Sequence, residues 1–243
     1  MDVIKVYTDY LAHVNNERNA EREDEEFHAS SSGSCFRKQM YGFFGYDSKE
    51  LDDKSLRLLR LGTIVHSDFE KAMSMYEDNN PQEEIHIEKK VSIPRLNLVG
   101  TFDLGTHYGN TFSIYDYKTV AAYKWTTKFG RKHNRVPTTD KNYKLQLGTY
   151  GLAIKEDNKD TIVKLFLLWY NKNTSMMREQ IVDSSYISQA EEYWLEVNTI
   201  LKEHGEDFEQ SDMLEPGISY GVPFEDWECR YCQYSDICPT PIK

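Results

Sequence analysis

Apolar side chains recur along this chain with two different periods, which predict where its helices and strands lie. Residues 54–78 carry the clearest helical pattern, with apolar positions at three- and four-residue steps. This spacing predicts an amphipathic helix with one apolar face. The positions on that face are Leu58, Leu61, Val65, Phe69, Ala72 and Tyr76. Further helices are expected within residues 1–30, near 141–155 and near 187–205.

Strand-like segments are interleaved with these helices. Three are expected near residues 83–93, 96–104 and 111–118, and the turn signal Gly109-Asn110 joins the last two. Two more, near residues 161–170 and 174–182, would form a second hairpin. A serine cluster at residues 30–34 precedes a short helix that ends near Gly42 or Gly45. This order predicts an α/β fold with a mixed central sheet flanked by helices.

The length of the chain sets the expected domain organisation. Its 243 residues are enough for one α/β domain, with a core at about 54–205 and outer segments at about 30–46 and 225–239. No apolar run approaches the roughly 18 residues that a membrane span needs. The amino terminus is too acidic for a signal peptide. We therefore expect a soluble, cytoplasmic protein without a membrane partner.

Basic residues are concentrated in one part of an acidic chain. The formal net charge is -11, but residues 118–144, here called the basic strip, carry a net +7 and leave -18 for the remainder. A basic strip can follow a nucleic-acid backbone even in an acidic protein. It can equally be a solvated loop with no partner. Its members are Lys118, Lys124, Lys128, Arg131, Lys132, Arg135, Lys141 and Lys144, against the single acid Asp140.

Two acidic residues and a lysine stand where two predicted strands meet. Asp116 and Lys118 are alternate residues of one strand, so they share a face. Asp103 lies on the preceding strand and can approach Asp116 across the hairpin. Paired carboxylates repel unless a cation lies between them, and Mg²⁺ or Mn²⁺ suits such oxygen ligands. The same combination also arises by chance on exposed sheet faces.

Three further residues flank this group in helices. His66 lies between Gly62 and Glu70 at four-residue steps, which places the three on one helical stripe, and an imidazole is a suitable additional Mn²⁺ ligand. Gln146 and Tyr150 are separated by four residues and share a helix face, from which both can form hydrogen bonds. Taken singly, such residues are more often ordinary surface or packing groups.

The order of these motifs, G-x3-H-x3-E, then D, then D-x-K, then Q-x3-Y, resembles the RecB-like branch of the PD-(D/E)XK nucleases over residues 62–150. The resemblance implies a restriction-endonuclease-like core and a catalytic role for Lys118. It implies that the ligands of Mg²⁺ or Mn²⁺ are His66, Asp103, Asp116 and the main-chain carbonyl of Tyr117. Gln146 and Tyr150 would complete the catalytic site. Two departures are visible, since Phe102 replaces the name-giving proline and Asp116 replaces a frequent glutamate.

The four cysteines form a second pattern. Cys35 stands alone near the amino terminus, whereas Cys229, Cys232 and Cys238 lie within ten residues of one another. This spacing is unlike a secreted disulfide framework, and four unrelated thiols would not crowd in this way. Four thiolates can hold zinc or an iron–sulfur cluster, and spacing alone does not decide between them.

The cysteine pattern extends the resemblance to residues 30–239. One cysteine before the core and three after it resemble iron–sulfur RecB-like nucleases, including CRISPR-associated exonucleases and exonuclease V. That resemblance implies a [4Fe-4S] cluster held by the four cysteines. It further implies exonuclease action on DNA, preferring single strands or free ends. The implied settings are repair, recombination, phage DNA processing or CRISPR adaptation, with a helicase, a recombinase or a CRISPR-adaptation protein as partner.

Candidate DNA-binding residues follow from charge and from interleaved aromatic side chains, which suit single-stranded DNA. No helicase motor is expected, because the chain lacks a Walker A sequence. Two alternatives stay open: a flap or other structure-specific endonuclease on the same core, and a noncatalytic DNA-binding assembly protein. The DNA-binding candidates are Arg37, Lys38, Tyr41, Lys124, Trp125, Lys128, Arg131, Lys132 and Arg135.

Overall fold

The structure, a computed structural model, describes residues 1–20, 25–131, 140–208, 218–219, 222–223, 229 and 231–238. Within these ranges no helix combines the length and apolar character needed to cross a bilayer. The chain divides into two compact units. Unit 1 comprises residues 1–27, 34–65 and 199–243, and unit 2 comprises residues 28–33 and 66–198. That one nuclease domain covers the whole chain stays a prediction.

Within the described ranges the chain forms six α-helices. α3 and α5 lie where the sequence predicts them, and α4 lies inside the basic strip, where no helix was expected. Their bounds are α1 Val3–Ala20, α2 Phe36–Phe43, α3 Asp53–Asn79, α4 Ala122–Phe129, α5 Lys141–Asp157 and α6 Ser185–His204.

The strands form a mixed sheet that confirms the predicted fold class. In unit 2, β3, β4, β5 and β6 lie side by side in that order, and β2 also pairs with β3. The β4–β5 pair is parallel, whereas β2–β3, β3–β4 and β5–β6 are antiparallel. The bounds are β1 Phe27–His28, β2 Glu84–Ile93, β3 Leu98–Tyr108, β4 Thr111–Val120, β5 Ile162–Asn171, β6 Met177–Val182, β7 Ile218–Ser219 and β8 Val222–Pro223.

Helix α5 is the central helix of unit 2. Ten consecutive residues, 145–154, are buried, so the helix is enclosed on all sides rather than amphipathic. Gly148 and Gly151 permit the close approach of α6, since an added Cβ would meet Tyr186 or Ile187 at less than 3.0 Å. This close packing of α5 against α6 fixes the position at which α5 holds its polar side chains beside the sheet.

Strand β3 changes its alternation at Asp103. Phe102 packs in the apolar cluster that includes Leu147 and Tyr150 of α5. A Cβ added to Gly105, three residues later, would contact Phe102 and Phe112 of the same cluster. Leu104 packs instead with Tyr117 on the opposite face. On the neighbouring strand β2, Glu88 faces Asp103 but is not paired with it, and Glu88 has a left-handed φ of 48°. Asp103 therefore lies at a local irregularity that releases it from the regular ladder.

The predicted apolar face of the helix over residues 54–78 is exposed for most of its length. Phe69 packs in the apolar cluster around Leu104 and Tyr117. Leu58, Leu61 and Tyr76 are more than 40% exposed. The periodicity of the pattern was correct for a helix, but periodicity does not show which part of a face is covered.

Candidate active site

Asp116 and Lys118 form a buried ion pair on β4. The side chain of Asp116 is 2% exposed, and its Oδ2 lies 2.6 Å from the Nζ of Lys118. Among the described residues this Oδ2 has no hydrogen bond of acceptable geometry, although it has the ion-pair contact. Burial raises the pKa of Asp116 to about 6, against the opposing effect of Lys118. The carboxylate is thus desolvated and only partly compensated.

Asp103 joins this pair from the neighbouring strand. The main-chain N–H of Tyr117 donates to Oδ2 of Asp103 at 2.5 Å. The β3–β4 register ends at Leu104–Tyr115, so Asp103 and Asp116 occupy the next position of each strand. The Asp103 carboxylate also contributes to the raised pKa of Asp116, as expected for neighbouring like charges. The two carboxylates therefore lie at facing positions just beyond the end of one ladder and interact electrostatically.

His66 approaches the group from α3. Its Nδ1 lies 3.6 Å from Oδ1 of Asp103, and its side chain is 28% exposed. Burial lowers the pKa of His66, but the contact with Asp103 outweighs burial and leaves the pKa raised. The imidazole ring also packs edge-on against Tyr117, whose centroid lies 5.7 Å away. A ring contact and a polar contact together hold His66 beside Asp103.

A hydrogen-bond chain from α5 holds the ammonium group of Lys118. Its Nζ donates to Oε1 of Gln146 at 3.1 Å, and Nε2 of Gln146 donates to the hydroxyl of Tyr150 at 2.9 Å. Burial raises the pKa of Tyr150 well above its usual value, so the hydroxyl is neutral. The four-residue spacing of Gln146 and Tyr150 within α5 thus produces a chain of hydrogen bonds that ends at Nζ of Lys118.

The donor set at this position suits a hard or borderline divalent cation in its chemistry. It offers two carboxylates and an imidazole, and one buried carboxylate oxygen has an ion-pair contact with Lys118 but no hydrogen bond of acceptable geometry. Within the described ranges, no three His, Cys, Asp or Glu side chains form a group that could hold a metal ion. Asp103 instead binds a main-chain N–H, and Lys118 supplies positive charge to Asp116.

A second buried ion-pair cluster lies in unit 2, around Asp140. Its Oδ2 accepts from Nζ of Lys128, and its Oδ1 lies 3.2 Å from Nζ of Lys144. Nε2 of Gln180 also approaches Oδ2, at 3.4 Å. Burial opposes ionisation of Asp140, but its lysine partners outweigh burial and lower the pKa of this carboxyl. Sequence analysis counted Asp140 only as the exception in the basic strip.

Several predicted DNA-binding residues are buried in this structure. Arg37 and Tyr41 are 5% and 1% exposed, and Trp125 is 9% exposed. Tyr41 packs among aromatic rings of unit 1, and Trp125 packs against Phe129 in the α5 layer. Amphipathic α4 turns Trp125 inward. The alternation of basic and aromatic residues along the sequence therefore does not give an exposed stacking surface at Trp125. In this conformation these three side chains are enclosed and do not present a surface to DNA.

The remaining DNA-binding candidates differ in their availability. Lys128 is paired with Asp140 and largely buried, so its charge is compensated. Arg131 is exposed, whereas Lys38 and Lys124 are half-buried. Lys132 and Arg135 lie outside the described residues.

The four cysteines all belong to unit 1, and no disulfide links them. Cys35 is buried at the start of α2, and the other three are half-buried. Residues 231–238 contact α2 directly, since the rings of Tyr41 and Tyr234 lie 5.2 Å apart. The described cysteines do not, however, form a metal-holding group. The structure brings α2 and residues 231–238 into contact, and a metal site formed by the four cysteines stays a prediction.

One residue beside Lys118 was not singled out by sequence analysis. The ring centroid of Tyr143, in the first turn of α5, lies 5.0 Å from Nζ of Lys118. The signal was present, because Tyr143, Gln146 and Tyr150 are spaced by three and four residues and share one helix face.

Comparisons with known proteins confirm the superfamily that the motif order suggested, and the RecB-like branch stays a prediction. A family model for the PD-(D/E)XK nuclease superfamily matches residues 10–239. By sequence, the chain matches no curated protein.

Solved structures are similar to this chain in fold. The crystal structure of SSO0001 has a TM-score of 0.57 and 18% identity, and the match covers 98% of each chain. A candidate exonuclease from Eubacterium rectale has a TM-score of 0.48 and 14% identity, covering 85% of this chain and 93% of its own. The alkaline exonuclease LHK-Exo from Laribacter hongkongensis has a TM-score of 0.47 and 13% identity, with coverages of 76% and 92%.

Proposed function

The chain belongs to the PD-(D/E)XK nuclease superfamily, and we propose that it is a metal-dependent DNA exonuclease that prefers single-stranded DNA with free ends. One observation carries the proposal. The buried Oδ2 of Asp116 lies 2.6 Å from Nζ of Lys118, two residues further along the same strand, and Asp103 stands at the facing position of the neighbouring strand.

The proposed metal ligands are Asp103, Asp116, His66 and the main-chain carbonyl of Tyr117. When bound, Mg²⁺ or Mn²⁺ supplies a Lewis acid that polarises the phosphate and favours deprotonation of water. Asp103 and Asp116 would provide the negative charge that selects a divalent cation, and burial of Asp116 strengthens its electrostatic effect.

Lys118 is proposed to orient the attacking water and to stabilise the charge that develops on the phosphate. Gln146 accepts one of its N–H bonds, which limits the directions of the ammonium group. Tyr150 in turn fixes the amide of Gln146. These residues act before any substrate arrives, by holding Lys118 in place.

End-labelled DNA tests the proposal. Linear single-stranded, linear duplex and circular single-stranded molecules are incubated with Mg²⁺ or Mn²⁺, and products are resolved by length. We expect stepwise degradation of linear single strands and survival of the circle. Cleavage of the circle would show an endonuclease instead, and binding without any cleavage would show a noncatalytic protein.

Matched variants connect the activity to the site. Asp116→Asn keeps the shape of the side chain but removes its charge, and activity should disappear. Lys164→Gln changes an exposed lysine on the adjacent strand β5 and should leave activity unchanged. Equal activity in wild type and Asp116→Asn would overturn the assignment of the site.

We also propose that the four cysteines bind one metal centre in unit 1, as a [4Fe-4S] cluster with zinc as the alternative. Contacts between α2 and residues 231–238 support this, because they hold the two cysteine-bearing segments together. Anaerobically purified protein should contain about four iron and four sulfide per chain. One zinc per chain would favour the alternative, and protein without either metal would refute a metal centre.

A further inference from the structure

We propose that Lys124 and Tyr143 form a binding site for the DNA phosphate next to the one that is cleaved. The inference rests on the proposed nuclease function and adds a substrate position to it. It concerns a pair of side chains that approach Lys118 but do not belong to the proposed metal ligands.

The ring of Tyr143 contacts two ammonium groups. Its ring centroid lies 5.0 Å from Nζ of Lys118 and 4.5 Å from Nζ of Lys124. Nζ of Lys124 also donates to the Tyr143 hydroxyl at 3.4 Å. The ring itself is supported by an edge contact with Trp169, at 5.8 Å. An aromatic ring that contacts both cations positions Lys124 relative to Lys118.

The charge of Lys124 is less compensated than the charges of its neighbours. Lys128 and Lys144 both pair with Asp140, and Lys118 pairs with Asp116. Among the described residues, the contacts of Lys124 are with the ring and hydroxyl of Tyr143, and no carboxylate pairs with it. A half-buried ammonium that has no carboxylate partner suits an anionic ligand.

The position of the pair relative to the proposed site indicates which anion this is. Helix α4, which carries Lys124, begins two residues after the end of β4, which carries Asp116 and Lys118. The Lys118 and Lys124 ammonium groups cannot be farther apart than the sum of their distances to the Tyr143 ring. Adjacent phosphates of a nucleic-acid strand are separated by a single sugar and fit within that reach. Lys124 would donate to phosphate oxygens, and the Tyr143 hydroxyl would turn to donate as well.

A phosphate-by-phosphate substitution tests the site. A series of single-stranded oligonucleotides carries one uncharged methylphosphonate each, at successive positions around a defined cleavage point. For the wild-type protein, one position adjacent to the cleaved phosphate should raise KM by about 10- to 100-fold, the effect expected for loss of a charge-assisted contact.

Substitutions then identify the residue that contacts this phosphate. In Lys124→Gln, the KM for unmodified DNA should rise by a similar factor, and the methylphosphonate should cause no further increase. Tyr143→Phe keeps the ring and should remove only part of the effect. Lys155→Gln removes an exposed hydrogen bond to the carbonyl of Lys159 near the far end of α5, and this variant should keep the wild-type profile. A Lys124→Gln profile identical to that of wild type would overturn the phosphate site.

Binding of the same oligonucleotides in EDTA, measured by fluorescence anisotropy, separates the two proposals. If wild type cleaves none of them but binds with a penalty that depends on Lys124, the nuclease proposal fails, and Lys124 binds a phosphate of DNA that is not cleaved. If wild type cleaves normally and no position depends on Lys124 in either assay, the phosphate site fails and the nuclease proposal stands.

Discussion

Unit 2 contains two buried lysine–carboxylate clusters that use the same chemical groups differently. Asp140 is contacted by Lys128, Lys144 and Gln180, so both of its oxygens have partners. Among the described residues, Asp116 is contacted by a single ammonium group, since its Oδ2 lies 2.6 Å from Nζ of Lys118 without hydrogen-bond geometry. Burial affects both carboxylates, yet the pKa of Asp140 is lowered and that of Asp116 is raised.

The difference lies in how many donors surround each carboxylate. Asp140 has enough donors to compensate for its burial, which is typical of a group that stabilises a fold. Asp116 has too few, so the folded protein bears an electrostatic cost that a bound cation would remove. Satisfied and unsatisfied clusters can therefore be distinguished by their partners, although both contain buried aspartate and lysine.

The largest expected difference between the clusters concerns catalysis. Lys118→Met should lower kcat for DNA hydrolysis by about 100- to 1,000-fold, because it removes charge stabilisation at the proposed transition state. Initial rates at saturating DNA measure this. Circular dichroism establishes that the variant is folded, and a folded Lys118→Met with wild-type kcat would show that the two clusters do not differ in this way.

The second difference concerns stability. Asp140→Ala should lower the free energy of unfolding at pH 7 by about 3 kcal/mol, because it leaves two lysines without their buried partner. Urea denaturation measures the change. Asp157→Ala, at the exposed carboxyl end of α5, is the matched control and should have little effect. A loss below about 1 kcal/mol for Asp140→Ala would contradict a structural role.

The pH dependence of stability should have opposite signs at the two clusters. The pKa of Asp116 is raised to about 6 in the folded protein, so wild type should lose stability relative to Asp116→Asn as the pH rises from 4 to 7. The pKa of Asp140 lies below its usual value of 3.8, so the advantage of wild type over Asp140→Asn should persist above pH 4 and shrink only below it. Urea titrations in EDTA at several pH values measure both, and slopes of equal sign would refute the contrast.

The smallest expected effects come from the two glutamines. Gln146 contacts Lys118, whereas Gln180 contacts Asp140. Gln146→Leu should lower kcat by about tenfold, the effect of one hydrogen bond to a charged group, and should change stability little. Gln180→Leu should lower stability by about 1 kcal/mol and leave kcat unchanged. If both variants had the same effect, the clusters would share one role.

Local periodicity was sufficient to predict much of the fold and the arrangement of the candidate site. Strand alternation placed Asp116 and Lys118 on one face, and helix periodicity placed Gln146 and Tyr150 on another. The Gly109-Asn110 turn set the hairpin that carries Asp103. These arrangements follow from short stretches of chain, so they can be predicted from a single sequence.

The features that sequence analysis missed depend on packing between distant segments. Trp125 is buried because α4 turns it toward Phe129, and Leu58 is exposed despite its apolar periodicity. The two partners of Asp140 lie on different helices, 12 residues and 4 residues away along the chain. Whether a charge is compensated depends on such contacts, and residue order alone does not specify them.

The irregularity at Asp103 has a consequence for protein engineering. It divides β3 into two short stretches whose inward-facing residues are out of phase by one position. Removal of one residue between Leu98 and Phe102 would exchange the inner and outer faces of the first stretch, while the second would keep its register with β4.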